Sequence, residues 1–269
     1  RSPRSQRGGF GFESRGVHYE LMKLIPNLNA RDMESVEIFS KKFKECEILF
    51  WGKECDQKLM KDVKEKMDKH EMSAYAVHVP NFRINEDDRE INRLLDFVLK
   101  VNYIFYPKII NMHCQYGNVE KMKENLRIVL QMIPENVVFT IENLTKASAN
   151  IYSPESAENF FKDMNYENLG LCLDISHIQV RNEKDHTKDV LEFIERMKNK
   201  IKHIHISDVK KIDNKISSKF IKHQPIGEGI IEWKKVKEKL IEINYNGYAT
   251  IEYMPEYNER IEKAVDFLR

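Results

Sequence analysis

A chain of 269 residues with 41% apolar side chains can bury the core of one large α/β domain, and a barrel of that class takes roughly 250 residues. Charged residues are abundant, at 32%, but they balance to a net charge of +1, so no global field draws the protein to nucleic acid or to an acidic membrane. No apolar run reaches the roughly 20 residues of a membrane span, no signal-peptide pattern is visible, and the four cysteines (Cys46, Cys55, Cys114, Cys172) form no C-x-x-C pair, so reduced thiols and a cytoplasmic location are the expectation.

Residues 1–17 are rich in Arg, Ser and Gly and read as a leader or disordered arm, with residues 18–269 as a single folded domain. Eight short apolar runs then follow in order: HYELMKLI (18–25), CEILFWG (46–52), SAYAVHV (73–79), KIINMHC (108–114), VVFTIEN (137–143), LGLCLDIS (169–176), IKHIHISD (201–208) and YATIEY (248–253). Each has strand length and β-branched or aromatic enrichment, and several are apolar nearly throughout, as parallel strands covered on both faces should be. Between them lie amphipathic stretches with apolar residues at helical spacing: 33–43, 88–101 (Ile91, Leu94, Leu95, Val98), 119–133 (Met122, Leu126, Val129, Leu130) and 233–243 (Trp233, Val236, Leu240). Ser153-Pro154-Glu155 reads as a helix cap. Eight strand–helix units, with no G-x-G-x-x-G after the first strand, predict a (β/α)₈ barrel, a TIM barrel, over an open dinucleotide-binding sheet.

Catalytic residues of such a barrel sit at the C-terminal ends of its strands. The polar residues there are His78, His113, Glu142, Asp174 and nearby His177, His205 with Asp208, and Glu252. An ionised carboxylate ending an apolar strand is costly unless it is paired, solvated or bound to metal. Carboxylates and imidazoles converging on one mouth suit a divalent cation, Zn²⁺ or Mn²⁺. His78 and His113 can equally be hydrogen-bonded core histidines. His203 reads as structural, packed against helices, Asp208 as a brace for its loop, and Cys114 as packing. Lys53, Arg83, Arg181 and Lys210 could meet a phosphate or lie on the surface.

Five motifs, TIEN (140–143), LCLDISH (171–177), HISD (205–208), HQPIGEG (223–229) and NGYATIEY (246–253), resemble the xylose-isomerase-like barrel superfamily, which holds sugar isomerases and epimerases, inosose dehydratases and the endonuclease IV repair enzymes. The resemblance implies one metal shared by Glu142, Asp174, His205 and Glu252. In the sugar-converting branch, Glu142 and Glu252 would be the catalytic proton carriers and His177 a substrate-binding histidine. That branch makes the expected activity a metal-dependent sugar or sugar-phosphate isomerase or epimerase, with a small sugar as partner and no membrane or nucleic acid.

The alternative the resemblance implies is a zinc-dependent abasic-site endonuclease, for which His78, His113, His177 and His223 would supply additional metal ligands. The chain departs from that branch in two places: the aspartate two positions before His223 is Ile221, and the tyrosine three residues after the first histidine is Asn81, although Phe82 is adjacent. A barrel that binds a metal and a small ligand without turnover is a further alternative, because fold alone does not prove activity. Substrate identity and oligomeric state are left open by the sequence.

Overall fold

Strands apolar on both faces need cover on both, and here the sheet closes on itself inside a ring of helices. The computed structural model describes residues 22–52, 56–181, 185–213 and 218–268; the arm expected at 1–17, and Lys53 and Cys55, lie outside the described residues. Strands β1 (Lys23–Asn29), β2 (Glu45–Leu49), β3 (Ser73–His78), β4 (Ile109–His113), β5 (Val138–Glu142), β6 (Leu169–Asp174) and β7 (Ile201–Ile206) run parallel, and β10 (Tyr248–Ile251) closes the barrel between β7 and β1. The connecting helices are α1 (Ser35–Ser40), α2 (Gln57–Lys69), α3 (Asp88–Phe105), α4 (Val119–Met132), α5 (Pro154–Phe161), α6 (His186–Met197) and α7 (Trp233–Glu242), and α8 (Ile261–Leu268) ends the chain after a 3-10 turn at Pro255–Arg260. This is a TIM barrel.

The N-terminal ends of the helices face the mouth, and side chains cap several of them there. Asp56 accepts from the Leu59 amide (2.7 Å) and Asn118 from the Lys121 amide (3.0 Å). The cap read at Ser153 is a reciprocal one: Ser153 Oγ accepts from the Ser156 amide (3.3 Å) while Ser156 Oγ accepts from the Ser153 amide (2.9 Å). Aromatic rings knit α3 to the β2–β3 side of the barrel, with Phe50 edge-on to Phe97 at 5.4 Å and Phe82 tilted on the same ring at 5.8 Å.

Two expectations change. The first strand, expected at 18–25, continues to Asn29 because Pro26 does not end it; it is described from Lys23, and residues 18–21 lie outside the described residues. That proline sits where β1 stops pairing with β10 (through Pro26↔Ile251) and starts pairing with β2 (from Asn27↔Glu47), a place where a ladder tolerates a residue without an N–H. The long gap before the last strand is not a simple helical unit. It holds an antiparallel hairpin, β8 (Asp208–Asp213) and β9 (Ser218–Gln224), springing from the end of β7.

One carboxylate anchors that hairpin. Asp208 Oδ1 accepts from the amides of Val209 (2.8 Å) and Ile231 (3.2 Å), and Oδ2 from the Gly227 amide (3.0 Å) and the Trp233 indole (3.0 Å). Asp208 thus braces the loop that carries HQPIGEG back to α7. Gly227 has φ +83°, the left-handed region that favours glycine, so HQPIGEG makes a tight turn there.

Candidate metal centre

Strand register brings the candidate residues together. His113 pairs with Glu142 across β4–β5, and Asp174 with His205 across β6–β7. Thr250 pairs with His205 across β10–β7, which sets Glu252 one layer nearer the mouth. One ligand atom from each of Glu142, Asp174, His205 and Glu252 lies within 4.8 Å of the others. Among the described residues three further sets meet the same limit: His78 with His113 and Glu142, Asp174 with His177 and His223, and, deeper in the barrel, Cys172 with His203 and His205. Each of the three shares one residue with the four-residue set (Glu142, Asp174 and His205 in turn), so together they form one continuous cluster.

Glu142 is its centre. Its Oε2 accepts from Asn111 Nδ2 (2.6 Å) and lies 3.1 Å from His78 Nε2 and 3.4 Å from His205 Nδ1. Its Oε1 faces His113 Nε2 (3.5 Å) and His177 Nδ1 (3.8 Å). Glu252 Oε2 lies 3.0 Å from His205 Nδ1 and 3.8 Å from His223 Nδ1. Asp174 keeps Oδ1 occupied by the amides of Ser176 (2.7 Å) and His177 (3.1 Å), while Asn143 accepts from the Asp174 amide and donates to its carbonyl.

These residues fit a divalent cation. Asp174 Oδ2, His205 Nδ1 and Glu252 Oε2 are buried without a hydrogen-bond partner, and all three point into the four-residue set. The His78 and His113 rings are turned the same way: His78 Nδ1 lies against the Val79 carbonyl (3.0 Å) and His113 Nδ1 against Asn81 Oδ1 (2.7 Å), which leaves each Nε2 facing Glu142.

The electrostatics agree with a site built for positive charge. Burial alone would push the Glu142 carboxyl up, but His205, His113 and His78 outweigh it and hold the group well below the usual carboxylate range. Glu252 follows the same pattern and falls to about 2, with His205 and His223 overcoming burial. Burial opposes a proton on His205, yet Cys172 and the carboxylates of Glu47, Glu142 and Glu252 raise it well above its ordinary value. His177 goes the other way: burial depresses it and keeps the ring neutral.

The family model for the xylose isomerase-like TIM barrel matches residues 27–269. The chain belongs to that family. An uncharacterized protein of Methanocaldococcus jannaschii, MJ1311, is 34% identical over 116 residues, 42% of this chain and 33% of that protein, so the match spans about a third of the length of that relative. D-psicose 3-epimerase from Clostridium cellulolyticum H10, solved with D-tagatose, superposes with a TM-score of 0.67 at 17% identity, over 92% of this chain and 98% of the epimerase. A xylose isomerase-like TIM barrel protein from Mycobacterium smegmatis, solved in complex with magnesium, gives a TM-score of 0.61 at 11% identity, over 89% and 88% of the two chains. At these identities the solved structures share the fold.

Three features of this xylose isomerase-like barrel escaped the sequence reading. His203 is not packed against helices. Residues two apart on a strand share a face, so His203 lies inside the barrel with His205, and both approach Glu47 Oε2, at 3.0 and 2.9 Å. Glu47 itself, fully buried on β2, was passed over. Lys222, on β9, is half-buried near Asp174 and Glu142; burial pushes its ammonium down while those carboxylates pull it up.

Of the basic residues read as possible phosphate contacts, Arg181 is committed to Asp189 (2.9 Å) and Glu192, and Arg83 pairs with Glu86 (3.1 Å) at the edge of the mouth. Phe82 is buried against Phe97 and presents no aromatic wedge. Two cavities open at the mouth, one of about 300 Å³ bordered by Asn27, Trp51, His223 and Glu252, the other of about 590 Å³ bordered by Trp51, His113 and His177. Cys46, Cys114 and Cys172 are free and buried. No helix among the described residues is long and apolar enough to cross a membrane.

Proposed function

We propose that this protein is a metal-dependent sugar or sugar-phosphate isomerase or epimerase, acting by proton transfer beside a carbonyl. The observation that carries this reading is the approach of two carboxylates, Glu142 and Glu252, to the same atom, His205 Nδ1, at 3.4 and 3.0 Å, with Glu252 reaching the edge of the 300 Å³ cavity. Glu142, Asp174, His205 and Glu252 would hold the cation, Zn²⁺ or Mn²⁺ by their donor types. When bound, a divalent cation there polarises a carbonyl oxygen and so acidifies the neighbouring C–H.

The chain's own residues supply the rest. Glu142 and Glu252, both held ionised, take a proton from one face of the sugar carbon and return it at another position or face. His177, neutral and 3.5 Å from Asp174 Oδ2, is placed to donate to a substrate hydroxyl. Trp51, half-exposed and bordering both cavities, offers an apolar face to a sugar ring. The fold shared with D-psicose 3-epimerase adds support of a general kind.

One observation favours a second reading. Three contiguous donor sets that share Glu142 and Asp174 could hold a row of cations, as hydrolysis of the phosphodiester at an abasic site would use. Against it stand Ile221, which cannot ligate, the buried Phe82, and a net charge of +1 that gives no nucleic-acid footprint.

Incubating the metal-loaded protein with ketoses, aldoses and their phosphates in D₂O tests the first reading. Deuterium entering the carbon next to the carbonyl, abolished by EDTA, is the expected result. No exchange with any sugar, together with EDTA-sensitive incision of a duplex carrying one abasic site, would replace it with the second.

A further inference from the structure

Glu47 is a fully buried carboxylate that the proton-transfer scheme does not use. It lies on β2, with its carboxylate withdrawn from water inside the barrel. A carboxylate withdrawn from water to that degree is destabilising unless strong donors surround it. Here the donors are specific. Oε2 alone receives Thr250 Oγ1 (2.5 Å), His205 Nε2 (2.9 Å) and His203 Nε2 (3.0 Å), from two strands that are not its neighbours in the sheet.

The consequence for His205 is directional. An imidazole has two nitrogens, and the hydrogen bond made by one decides which is left to ligate. With Nε2 donating to Glu47, Nδ1 is the nitrogen aimed at Glu142 and Glu252 and lacks a hydrogen-bond partner. His203 cannot replace His205 in this role, because its own Nε2 is shared between Glu47 and Thr250 Oγ1 (2.9 Å), which holds the carboxylate in place from the other side.

We propose that Glu47 is a positioning residue for the metal centre: by accepting from His205 Nε2 it fixes the ring so that Nδ1 is the ligating atom, with His203 and Thr250 locking Glu47 itself. This rests on reading Glu142, Asp174, His205 and Glu252 as a metal site. A bridge of carboxylate to histidine to metal orients the ring and raises its basicity, and its loss typically weakens metal affinity ~10–100-fold.

Zinc titration in competition with a chromophoric chelator reads this directly, using wild-type protein and the Glu47→Gln and Glu47→Leu variants, each checked for folding by circular dichroism without metal. The expected result is affinity lowered roughly 10-fold or more in both folded variants, more in Glu47→Leu, which has no acceptor at all. Long-range ¹H–¹⁵N spectra of zinc-loaded wild type give a second reading that needs no variant. His205 should carry a proton on Nε2 and zinc on Nδ1. Unchanged affinity in a folded variant, or zinc on Nε2, overturns the proposal and leaves the metal site standing. Wild-type protein that binds no zinc overturns both.

Discussion

Glu142 divides its two oxygens between different partners, and that decides how it should respond to mutation. Oε2 is engaged by Asn111 and His78, while Oε1 is left to His113 and His177 on the mouth side. In Glu142→Gln the neutral amide can neither carry a proton nor offer a cation the charged oxygen of a carboxylate. Turnover should fall by ~10²–10⁴-fold, and metal content should fall with it. Glu252 keeps 15% of its side chain exposed and lies at the rim of the set, so Glu252→Gln should cost a similar factor in turnover while retaining more metal. Parallel kinetics and elemental analysis of the two variants check this; turnover unchanged in both removes the proton-transfer scheme.

The same residues mark what could be read from sequence. Glu142, Asp174 and Glu252 stand out because each is a lone carboxylate at or just past the end of an apolar run, and His205 because it stands near the end of another. Glu47 does not, because Glu45 precedes it by two and the pair looks like the solvated start of a strand. Lys222 is hidden in a lysine-rich stretch. What buries them is the closure of the barrel, which the local pattern does not contain.

Among the elements, the strands were legible as short apolar runs, with most strand ends within a residue or two, and α1, α3, α4 and α7 from their helical period; α2, α6 and α8 were not singled out. The hairpin β8–β9 was not. Its arms, DVKKID and SKFIKHQ, set lysines opposite apolar residues, as in the pair Lys210↔Ile221, so neither arm shows the alternation of a half-buried strand. Its position depends instead on Asp208 and on the loop returning to α7. A Cβ at Gly229 would come closer than 3.0 Å to Asp208 Oδ1 and to the Val209 carbonyl oxygen, both fixed in the brace. Gly229→Ala should therefore destabilise the fold by about 1–3 kcal/mol through overpacking, and should also weaken function, because the displaced hairpin carries Lys222 and His223 away from Asp174. Thermal melting with a parallel activity assay tests the link. A stability loss with full activity would show that the hairpin's position does not matter to the site.

For the whole molecule, the cluster makes stability depend on both pH and metal, with signs that can be worked out. Glu142 is held well below the usual carboxylate range and Glu252 at about 2, against roughly 4.3 in an unfolded chain, so their contribution is present above that value and is lost as pH falls through the folded one. His205 and His78 are raised above roughly 6.5, so their contribution is complete below that value and is lost as pH rises through the folded one. Metal-free protein should therefore melt highest between about pH 5 and 6.5 and lower on either side. A cation competes with the proton on His205 Nδ1, so the stabilisation it adds grows with pH, opposite in sense to the histidine contribution. Melting curves from pH 5 to 9, in EDTA and in excess Zn²⁺ or Mn²⁺, should diverge steadily toward alkaline pH. Curves that stay parallel across that range would mean that the cation does not displace a proton from these imidazoles, and that the unpartnered atoms of Asp174, His205 and Glu252 serve some other ligand.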